Sequence, residues 1–461
     1  MVTGNSRMKP LEVCILAAGL GTRMKSDRPK ALQSLAGRPL LAHQLDEIAR
    51  LQPTRVHAVI GQGADMIRDA FSDNDAIHWV LQEERLGTGH AMMQALPHVS
   101  DNANVLVILG DVPLISVETM QRLVESESDL TVLSVLLEDP SGYGRIVREE
   151  SGQVLRIVEQ RDADDREQAI KEINTGLMFT SATLMSGWLS RLNRDNDQNE
   201  YLLTDLVGLA NDDRQSVEAL LADNPLEVTG INSRQQLAAV ERDLQERIAS
   251  DLMSQGVQLA DPERIDVRGE LKVGRDVFID VGCVFEGRCQ IEDGVSIGPY
   301  CVIRDSLIGQ ETVIKSHSVL DGAIVSSECS VGPYARLRPE ARLEAGAAIG
   351  NFVEVKKSVV GAGSKASHLA YLGDSTIGEG VNIGAGTITC NYDGVNKHQT
   401  HIGDGVFVGS NTSLVAPVSV EDGANIGAGS VITTDVPSQS LAIGRGRQRN
   451  IEGWATRKKN G

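Results

Sequence analysis

The order of hydrophobic and polar positions follows two different rules along this 461-residue chain. In the first half, short apolar runs predict β-strands over 11–19, 56–61, 104–111 and 130–137. The stretches LLAHQLDEIARL and ETMQRLVESE lie between them and predict helices. Alternating strands and helices indicate an α/β domain with a largely parallel sheet, in which ligands bind at the carboxyl ends of the strands.

Residues 233–254 predict one helix that connects the two parts of the chain. Apolar residues recur along one side of it, at Leu237, Val240, Leu244, Ile248 and Leu252. We therefore predict three segments: a first domain over 1–232, a linker helix over 233–254, and a second domain over 255–461.

From Ile265 onward an apolar residue recurs at every sixth position as far as Val355. This series of positions, the hexad phase, includes Cys283, Cys289, Cys301, Leu307, Val313 and Val319. The six-residue spacing returns at Ile377–Ile383 and from Ile402 to Ile432. Neither a helix nor an amphipathic strand has this period, whereas a solenoid of short strands with one inward side chain per face does. The cysteines on this phase are predicted to fill the core.

Two segments interrupt the hexads, Lys356–Tyr371 and Thr389–His401. A coil that stacks on its neighbours can accept extra residues only as outward loops, and such loops commonly carry function. We therefore predict a functional site beside these segments.

The amino-acid composition excludes some classes of protein but does not by itself indicate a function. Hydrophobic residues make up 41% of the chain and aromatic residues 3%, and the net charge of −19 disfavours general binding to nucleic acid. The N-terminal apolar run is too short for a signal peptide or membrane insertion, so a cytoplasmic location is expected. The six cysteines lack CxxC spacing, which argues against disulfides and zinc.

Candidate phosphate chemistry follows the first predicted strand. Gly19 and Gly21 would let the backbone approach a phosphate, and Arg23 and Lys30 would neutralise it. Asp111 stands directly after an apolar strand, where a carboxylate is costly unless a cation meets it. A phosphate-bound Mg²⁺ is the natural partner for this carboxylate.

Candidate acid–base chemistry lies in the first interruption. His368 has a side chain with a near-neutral pKa in model compounds, which suits a general base. Arg338 and Lys356 would hold a sugar phosphate, and Asn391 would orient an amine or support an oxyanion.

The motifs LAAGLGTRM…PK, LGTGHA, GDVP, GYGRI, IVEQ, INTG and GIN occur in this order over residues 11–232. In this they resemble the sugar-1-phosphate nucleotidyltransferases. The motifs ARLRP, NFVEVKKS, SKASHLAYLGD and NIGAGTITCNYDG extend the resemblance to the bacterial bifunctional GlmU family over 260–455. The resemblance implies a Rossmann-like N-terminal domain and a C-terminal left-handed parallel β-helix of hexapeptide repeats.

The same resemblance implies site residues in the first domain. Arg23 and Lys30 would act on the phosphates, and Asp111 and Asn232 would hold Mg²⁺. The UDP-N-acetylglucosamine site would comprise Leu16, Ala17, Ala18, Gly19, Lys30, Gln82, Gly87, Thr88, Leu109, Gly110, Asp111, Gly144, Glu159, Asn174 and Asn232. Gln82, Gly87 and Thr88 would read uracil, with UTP as co-substrate. Leu109 departs from the Tyr that is frequent there.

In the second domain the resemblance implies that His368 deprotonates the amine of glucosamine-1-phosphate, which then attacks acetyl-CoA. The sugar phosphate would be held by Arg338, Lys356, Tyr371 and Asn382. Acetyl-CoA would contact Ala385, Asn391, Tyr392, Ser410, Ala428 and Arg445. Glu354 would assist the imidazolium, and the basic segments 444–450 and 457–459 would meet the coenzyme phosphates. Family members are homotrimers.

Three alternatives differ in what they predict. A single-activity sugar nucleotidyltransferase with a regulatory solenoid predicts uninterrupted hexads. A zinc enzyme of the γ-carbonic-anhydrase type would use His317, His368, His398 and His401. A scaffold protein predicts no turnover, which the phosphate loop and Asp111 argue against.

Overall fold

The computed structural model describes residues 9–19 and 21–457, and their contacts form two compact units that divide between Leu244 and Gln245. The strands of the first unit are β1 (Leu11–Leu16), β2 (Ser34–Leu35), β3 (Arg38–Pro39), β4 (Arg55–Ile60), β5 (Ile77–Leu81), β6 (Asn104–Leu109), β7 (Leu130–Leu136), β8 (Arg145–Arg148), β9 (Val154–Val158), β10 (Glu172–Ser181) and β11 (Val217–Leu221). Its helices are α1 (Leu40–Arg50), α2 (Ala64–Ala70), α3 (Thr88–Ala95), α4 (Val117–Val124), α5 (Asp165–Gln168), α6 (Ala182–Leu189) and α7 (Leu206–Asp212). Short 3-10 turns cover Thr22–Met24, Lys30–Leu32, Leu96–His98, Leu203–Asp205 and Pro225–Val228.

The main sheet of the first unit has the strand order β11-β7-β10-β6-β1-β4-β5. All neighbouring pairs are parallel except those of β10, which runs antiparallel to both β6 and β7. The prediction of an α/β domain with a largely parallel sheet is confirmed. Side chains of β1 alternate between two cores, with Val13 and Ile15 on one face and Cys14 and Leu16 on the other.

A buried acid, Glu12, and a buried base, His57, lie near the amino ends of the neighbouring strands β1 and β4. The Glu12 carboxylate and the His57 ring, both almost fully buried, are 2.8 Å apart. Burial by itself raises the pKa of Glu12, but hydrogen bonds from Ser100 and His57 outweigh burial and lower this pKa below its ordinary value. The pair therefore stabilises the ionised form of Glu12.

Helix α8 (Arg234–Ser254) crosses the boundary between the units, and α9 (Trp454–Arg457) is the last described element. A 3-10 turn, Pro262–Arg264, follows α8. The strands β12 to β39 are, in chain order, Gln258–Leu259, Ile265–Val273, Phe278–Ile279, Cys283–Ile291, Ser296–Ile297, Val302–Arg304, Leu307–Ile308, Val313–Ile314, Val319–Asp321, Ile324–Val325, Ser330–Val331, Arg336–Leu337, Arg342–Leu343, Ala348–Asn351, Glu354–Lys356, Val359–Val360, Lys365–His368, Tyr371–Gly373, Ser375–Ile377, Asn382–Ile383, Ile388–Cys390, Thr400–Ile402, Phe407–Val408, Ser413–Val415, Val418–Val420, Asn425–Ile426, Val431–Ile432 and Leu441–Ala442.

These strands pair in parallel with strands one coil away and form a parallel β-helix around a single apolar core. Cys283, Cys289 and Cys301 are at most 3% exposed and belong to this core, as predicted. The left hand of the coil stays a prediction. No helix within the described part of the chain has the length and apolar character needed to cross a bilayer.

The hexad phase slips by a single position in the middle of the solenoid. The prediction that Leu307, Val313 and Val319 point inward is wrong, since Val313 is 41% and Val319 39% exposed and Leu307 is only half-buried. The core instead receives the next residue at each of these positions: Ile308, Ile314 and Leu320.

The cause of this slip is coil length. Strand β15 pairs with β13 in the register Ile265↔Cys283, which spans three complete hexads. It pairs with β18 in the register Ile291↔Ile308, which falls a single position short of three hexads. Each shortened coil moves the inward position relative to a strict count of six.

The two interruptions differ in kind. The interpretation of Lys356–Tyr371 as an outward insertion is wrong, because the register Val355↔Leu372 has the same separation as the ordinary pair Ile291↔Ile308. The second interruption is a true insertion, since the register Ser375↔Thr400 encloses a coil longer than these by more than a full hexad. Its tip projects outward, and Val395 is 83% exposed.

We expect His57→Leu to lower the free energy of unfolding of the first unit by about 3 kcal/mol, because the buried Glu12 carboxylate loses its partner. Since the folded pKa of Glu12 is lowered, its stabilisation is present above the unfolded pKa of about 4.3 and is lost as the pH falls through the folded value. The penalty of the variant should therefore shrink below about pH 4. Urea unfolding followed by fluorescence of the buried Trp188 measures it.

The matched control is His98→Gln, which changes an exposed histidine and should alter stability by less than about 0.5 kcal/mol. Equal stability of the two variants at neutral pH would contradict the assignment of Glu12 as a buried charge.

Candidate active sites

The first candidate site forms where two parallel strands end side by side. Leu16 and Leu109 are register partners at the ends of β1 and β6, so the loops after them lie next to each other. Gly110 allows this approach, because a Cβ there would stand 2.6 Å from the Cβ of Ala17. The phosphate-loop residues and Asp111 are thereby brought to one edge of the sheet.

Two adjoining cavities open at this edge. The larger, about 430 Å³, is lined by Leu16, Ala17, Ala18, Gly19, Gly21, Arg23, Lys30, Gln82, Gly87, Thr88, Leu109, Gly110, Asp111 and Asn232 among others. The smaller, about 190 Å³, adds Gly144, Glu159 and Asn174 and shares Thr88, Leu109, Asp111 and Asn232. Every residue that the resemblance implied for the first domain lines one of the two.

Asp111 meets a cation at the mouth of its strand. The Lys30 ammonium donates to Asp111 Oδ2 at 2.5 Å and to Asn232 Oδ1 at 2.8 Å, and both charged side chains are mostly buried. The Ile231 amide donates to the Asp111 carbonyl at 2.9 Å and ties the two loops together. Residues far apart in sequence thus place two oxygen atoms around one positive charge.

The Asp111–Asn232 pair fits a hard divalent cation. A carboxylate and an amide oxygen already converge on the Lys30 ammonium, and oxygen donors are those that Mg²⁺ prefers. Within the described residues, no group of three or more His, Cys, Asp or Glu side chains is placed to hold a metal ion. An ion here would take its remaining ligands from substrate phosphates and water, and the zinc alternative has no such cluster among the described histidines.

Gln44 is a residue that the sequence did not single out. It is fully buried on α1, and its Nε2 donates to the carbonyls of Leu109 at 2.7 Å and Val112 at 2.8 Å. These carbonyls flank Asp111, so Gln44 fixes the turn that carries the carboxylate. A polar residue inside an amphipathic helix gives no sequence signal for this role.

The smaller cavity is lined by a partly buried acid, Glu159. Burial raises the pKa of Glu159, and a hydrogen bond from the Thr204 hydroxyl at 3.1 Å opposes this shift in pKa. Asn174 donates its backbone amide to the Gly144 carbonyl at 2.8 Å. The fully buried Arg145 donates to the carbonyl of Tyr143 and to Gln160 Oε1, and so shapes the GYGRI loop.

The second candidate site lies on the solenoid. His368 is exposed at a corner, and its Nδ1 lies 2.7 Å from Oδ1 of Asn351 on the preceding coil. Asn351 was not predicted. Glu354, suggested as the partner of the imidazole, is instead 2.9 Å from Arg338 in an ion pair.

Backbone hydrogen bonds of 2.7 to 3.0 Å stack this corner from coil to coil. Successive levels of the column carry His368, Ala385, Ser410, Ala428 and Arg445, and the Arg445 guanidinium donates to the Ala428 carbonyl. Adjacent levels are about 4.8 Å apart, the spacing of paired strands. The column therefore forms a ridge that runs from His368 toward the C-terminal coils and continues below it through Asn351.

Polar residues also cluster along the strand after His368. Asn391 Nδ2 donates to Asp374 Oδ2 at 2.5 Å and lies 3.4 Å from the Tyr371 hydroxyl, and both Asn391 and Asp374 are buried. The neighbouring Lys356 ammonium lowers the pKa of Lys397, a residue of the inserted loop that was not predicted. Two adjacent ammonium groups suit a phosphate group. Asn382 and Tyr392 are exposed, and Tyr392 lies in the same loop.

Comparison with known proteins agrees with this division of chemistry. The family model of the MobA-like NTP transferase domain matches residues 13–176, and the model of the bacterial transferase hexapeptide (six repeats) matches 271–305 and 399–434. The fold and sites thus define a nucleotidyltransferase joined to a hexapeptide-repeat transferase.

Relatives resemble both halves at once. The Bifunctional protein GlmU of Marinobacter nauticus is 54% identical over 98% of this chain and 100% of its own length. The GlmU proteins of Stutzerimonas stutzeri and Pseudomonas putida are 52% and 51% identical, each over 96% of this chain and 98% of their own. The chain belongs to the bifunctional GlmU family, and it is an enzyme of uridylyl and acetyl transfer rather than a single-activity nucleotidyltransferase.

We expect Gln44→Leu to lower the free energy of unfolding of the first unit by about 2 kcal/mol, because the Val112 carbonyl loses a buried donor and the Leu109 carbonyl keeps only the Val112 amide. The kcat/KM of uridylyl transfer should also fall under conditions in which the variant remains folded, because the turn that carries Asp111 is no longer held in place. Urea unfolding and kcat/KM for UTP test both parts. Gln121→Leu, an exposed glutamine on α4, is the control and should leave both unchanged; wild-type kinetics in Gln44→Leu would refute the positioning role.

Proposed function

We propose that this enzyme makes UDP-N-acetylglucosamine in two steps at two separate sites. Acetyl transfer from acetyl-CoA to glucosamine-1-phosphate takes place on the solenoid (255–461), which helix 233–254 links to the first domain. The N-acetylated product is released and receives the uridylyl group from UTP in the first domain (1–232). The proposal rests on the convergence of motif residues from distant parts of the chain at two places, one around Lys30 and Asp111 and the other beside His368.

In uridylyl transfer, the phosphate oxygen of N-acetylglucosamine-1-phosphate attacks the α-phosphorus of UTP in line, and pyrophosphate leaves. Arg23 and Lys30 line the larger cavity and neutralise the charge on the phosphates. Glu159 and Asn174 line the smaller cavity and hold the sugar, with Glu159 accepting from hydroxyl groups. The shared lining residues join the two substrates at the reacting phosphates.

The family uses nucleotide substrates and a divalent metal, and we assign Mg²⁺ to Asp111 and Asn232. When bound there, the ion would supply neutralisation of the negative charge on the reacting phosphates. Lys30, which occupies the space between the two ligands, would then turn its ammonium toward the phosphates. Asp111 and Asn232 keep their places because Gln44 and the Ile231 amide hold their loops.

In acetyl transfer, His368 takes a proton from the amine of glucosamine-1-phosphate, and the nitrogen attacks the thioester carbonyl. The carbon–sulfur bond breaks, and the proton passes to the leaving thiolate of CoA. Asn351 Oδ1 accepts from the Nδ1–H of His368, which leaves Nε2 free to take the proton. Arg338, Lys356, Tyr371 and Asn382 hold the sugar phosphate.

The coenzyme lies along the ridge of Ala385, Ser410, Ala428 and Arg445, with Asn391 and Tyr392 beside the acyl group. Arg445 and the basic segment 444–450 face the phosphates of CoA. Of the second basic segment, 457–459, Lys458 and Lys459 lie outside the described residues.

We propose a homotrimer in the cytoplasm. Two large apolar side chains next to the Asn351–His368 pair are more than half exposed in the single chain, Phe352 at 57% and Leu369 at 60%, and Tyr392 on the inserted loop is 60% exposed. Apolar patches of this kind mark contact surfaces. A second copy packed there would exclude water from the acetyl-transfer site.

We expect His368→Ala to lower kcat of acetyl transfer by about 10²- to 10⁴-fold and to leave uridylyl transfer unchanged, because only one step uses this base. Asp111→Ala should abolish metal-dependent uridylyl transfer and spare acetyl transfer. Separate assays of thiol and pyrophosphate release measure the two steps. The controls His401→Ala and Asp73→Ala remove exposed residues of the same types; loss of both activities in either site variant, with the fold intact, would disprove separate sites.

We expect Asn351→Leu to lower kcat of acetyl transfer by about tenfold with little change in KM for acetyl-CoA, because the imidazole loses the acceptor that fixes its tautomer. Asn351→Asp retains an oxygen acceptor at the same place and should keep most of kcat. Steady-state kinetics of both variants distinguish orientation from packing. Equal losses in the two variants would contradict a hydrogen-bonding role.

A further inference from the structure

We propose that His90 determines nucleotide specificity by orienting the side-chain amide of Gln82, so that the first site accepts UTP and rejects CTP. This inference rests on the proposed function, in which Gln82 reads the base. His90 itself makes no contact with the nucleotide in this account. It acts as a positioning residue behind the residue that does.

The surroundings of Gln82 decide which way its amide points. Gln82 directly follows β5, is 4% exposed, and donates its backbone amide to the Ile60 carbonyl at 2.8 Å. Its Nε2 lies 3.3 Å from the Gly87 carbonyl and 3.0 Å from Nδ1 of His90. A carbonyl oxygen can only accept, so the Gly87 contact identifies the nitrogen end of the amide.

Both protons of the Gln82 amide are then committed to the protein. One goes to Gly87 and the other to His90, and no hydrogen bond from the described residues engages Oε1. Gln82 lines the larger cavity, so Oε1 is the atom left for a ligand. The site therefore offers a hydrogen-bond acceptor to the base.

His90 can hold this arrangement only in one tautomer. To accept from Gln82, Nδ1 must be unprotonated, and the neutral ring then carries its proton on Nε2. Nε2 of Gln94, one helical turn further along α3, lies 3.2 Å from Nε2 of His90. Two donors cannot pair, so this tautomer requires the Gln94 amide to be turned over, with its oxygen accepting the proton on Nε2. The ring of Tyr201 is nearly parallel to that of His90, at 27°, with centroids 6.4 Å apart.

An acceptor at this position distinguishes the two pyrimidines. Uracil carries a proton on N3 and can donate to Oε1, whereas N3 of cytosine is itself an acceptor and would meet Oε1 lone pair to lone pair. A site whose buried polar group is left without a partner discriminates strongly. Without an acceptor at His90, only the longer contact to the Gly87 carbonyl, at 3.3 Å, holds the Gln82 amide in this orientation. The amide then turns over at a lower cost and presents its nitrogen to cytosine N3.

The test compares the ratio of kcat/KM for UTP to that for CTP across matched variants of the full-length enzyme. His90→Leu, or the more flexible His90→Met, removes the acceptor and should lower the ratio about tenfold, which corresponds to one hydrogen bond. His90→Asn places an oxygen near the position of Nδ1 and should stay within about twofold of wild type. His98→Gln changes an exposed histidine outside this set of contacts and is the control, with an unchanged ratio.

A packing role for His90 would lower turnover of both nucleotides equally and would leave the ratio unchanged, so a wild-type ratio in His90→Leu overturns the proposal. It is also overturned if both apolar variants fold, as judged by circular dichroism, but turn over neither nucleotide. Gln82→Leu separates this outcome from failure of the proposed function. If Gln82→Leu keeps the wild-type ratio, Gln82 does not read the base and the assignment of the uracil site is wrong.

Discussion

Parallel, in-register strand pairing is the constraint on which both sites depend. In the first unit it sets Leu16 beside Leu109, so that the loops after two strands far apart in sequence become neighbours. In the second unit it stacks corresponding positions of successive coils into columns, one of which contains Asn351 and His368. Backbone pairing thus brings the residues of each site together. Side chains such as Gln44 and Asn351 then fix the orientation of Asp111 and His368.

The second common feature is local charge. The chain carries a net charge of −19, yet the substrates of both reactions carry phosphate groups, so each site needs its own cations. The first site has Arg23 and Lys30. The second has Lys356, whose ammonium is close enough to Lys397 to lower the pKa of Lys397. Lys30 has a double task, because it also compensates the Asp111 carboxylate that the strand end holds out of bulk water.

The spacing of apolar residues predicts much of the fold, because side chains that recur with the period of a helix, strand or coil lie on its buried face. Four strands of the first unit (β1, β4, β6 and β7), the helix α8 and the solenoid were predicted from apolar spacing, whereas β5 and β8 to β11 were not. The failures have a physical cause: a coil can be three hexads long or fall a single position short of that. A strict phase therefore misplaced Leu307, Val313 and Val319 and made the ordinary coil after Lys356 look like an insertion. Gln44, His90 and Asn351 were missed because their roles depend on partners that only the fold brings close.

The central claim is that each unit carries one complete chemistry and that the intermediate passes between them through solution. Mixing purified Asp111→Ala with purified His368→Ala and following UDP-N-acetylglucosamine from glucosamine-1-phosphate, acetyl-CoA and UTP tests it directly. The account predicts that the mixture forms product after a lag that shortens with rising enzyme concentration, although neither protein does so alone. A mixture that stays inactive, while each protein retains its own half-reaction, would contradict it.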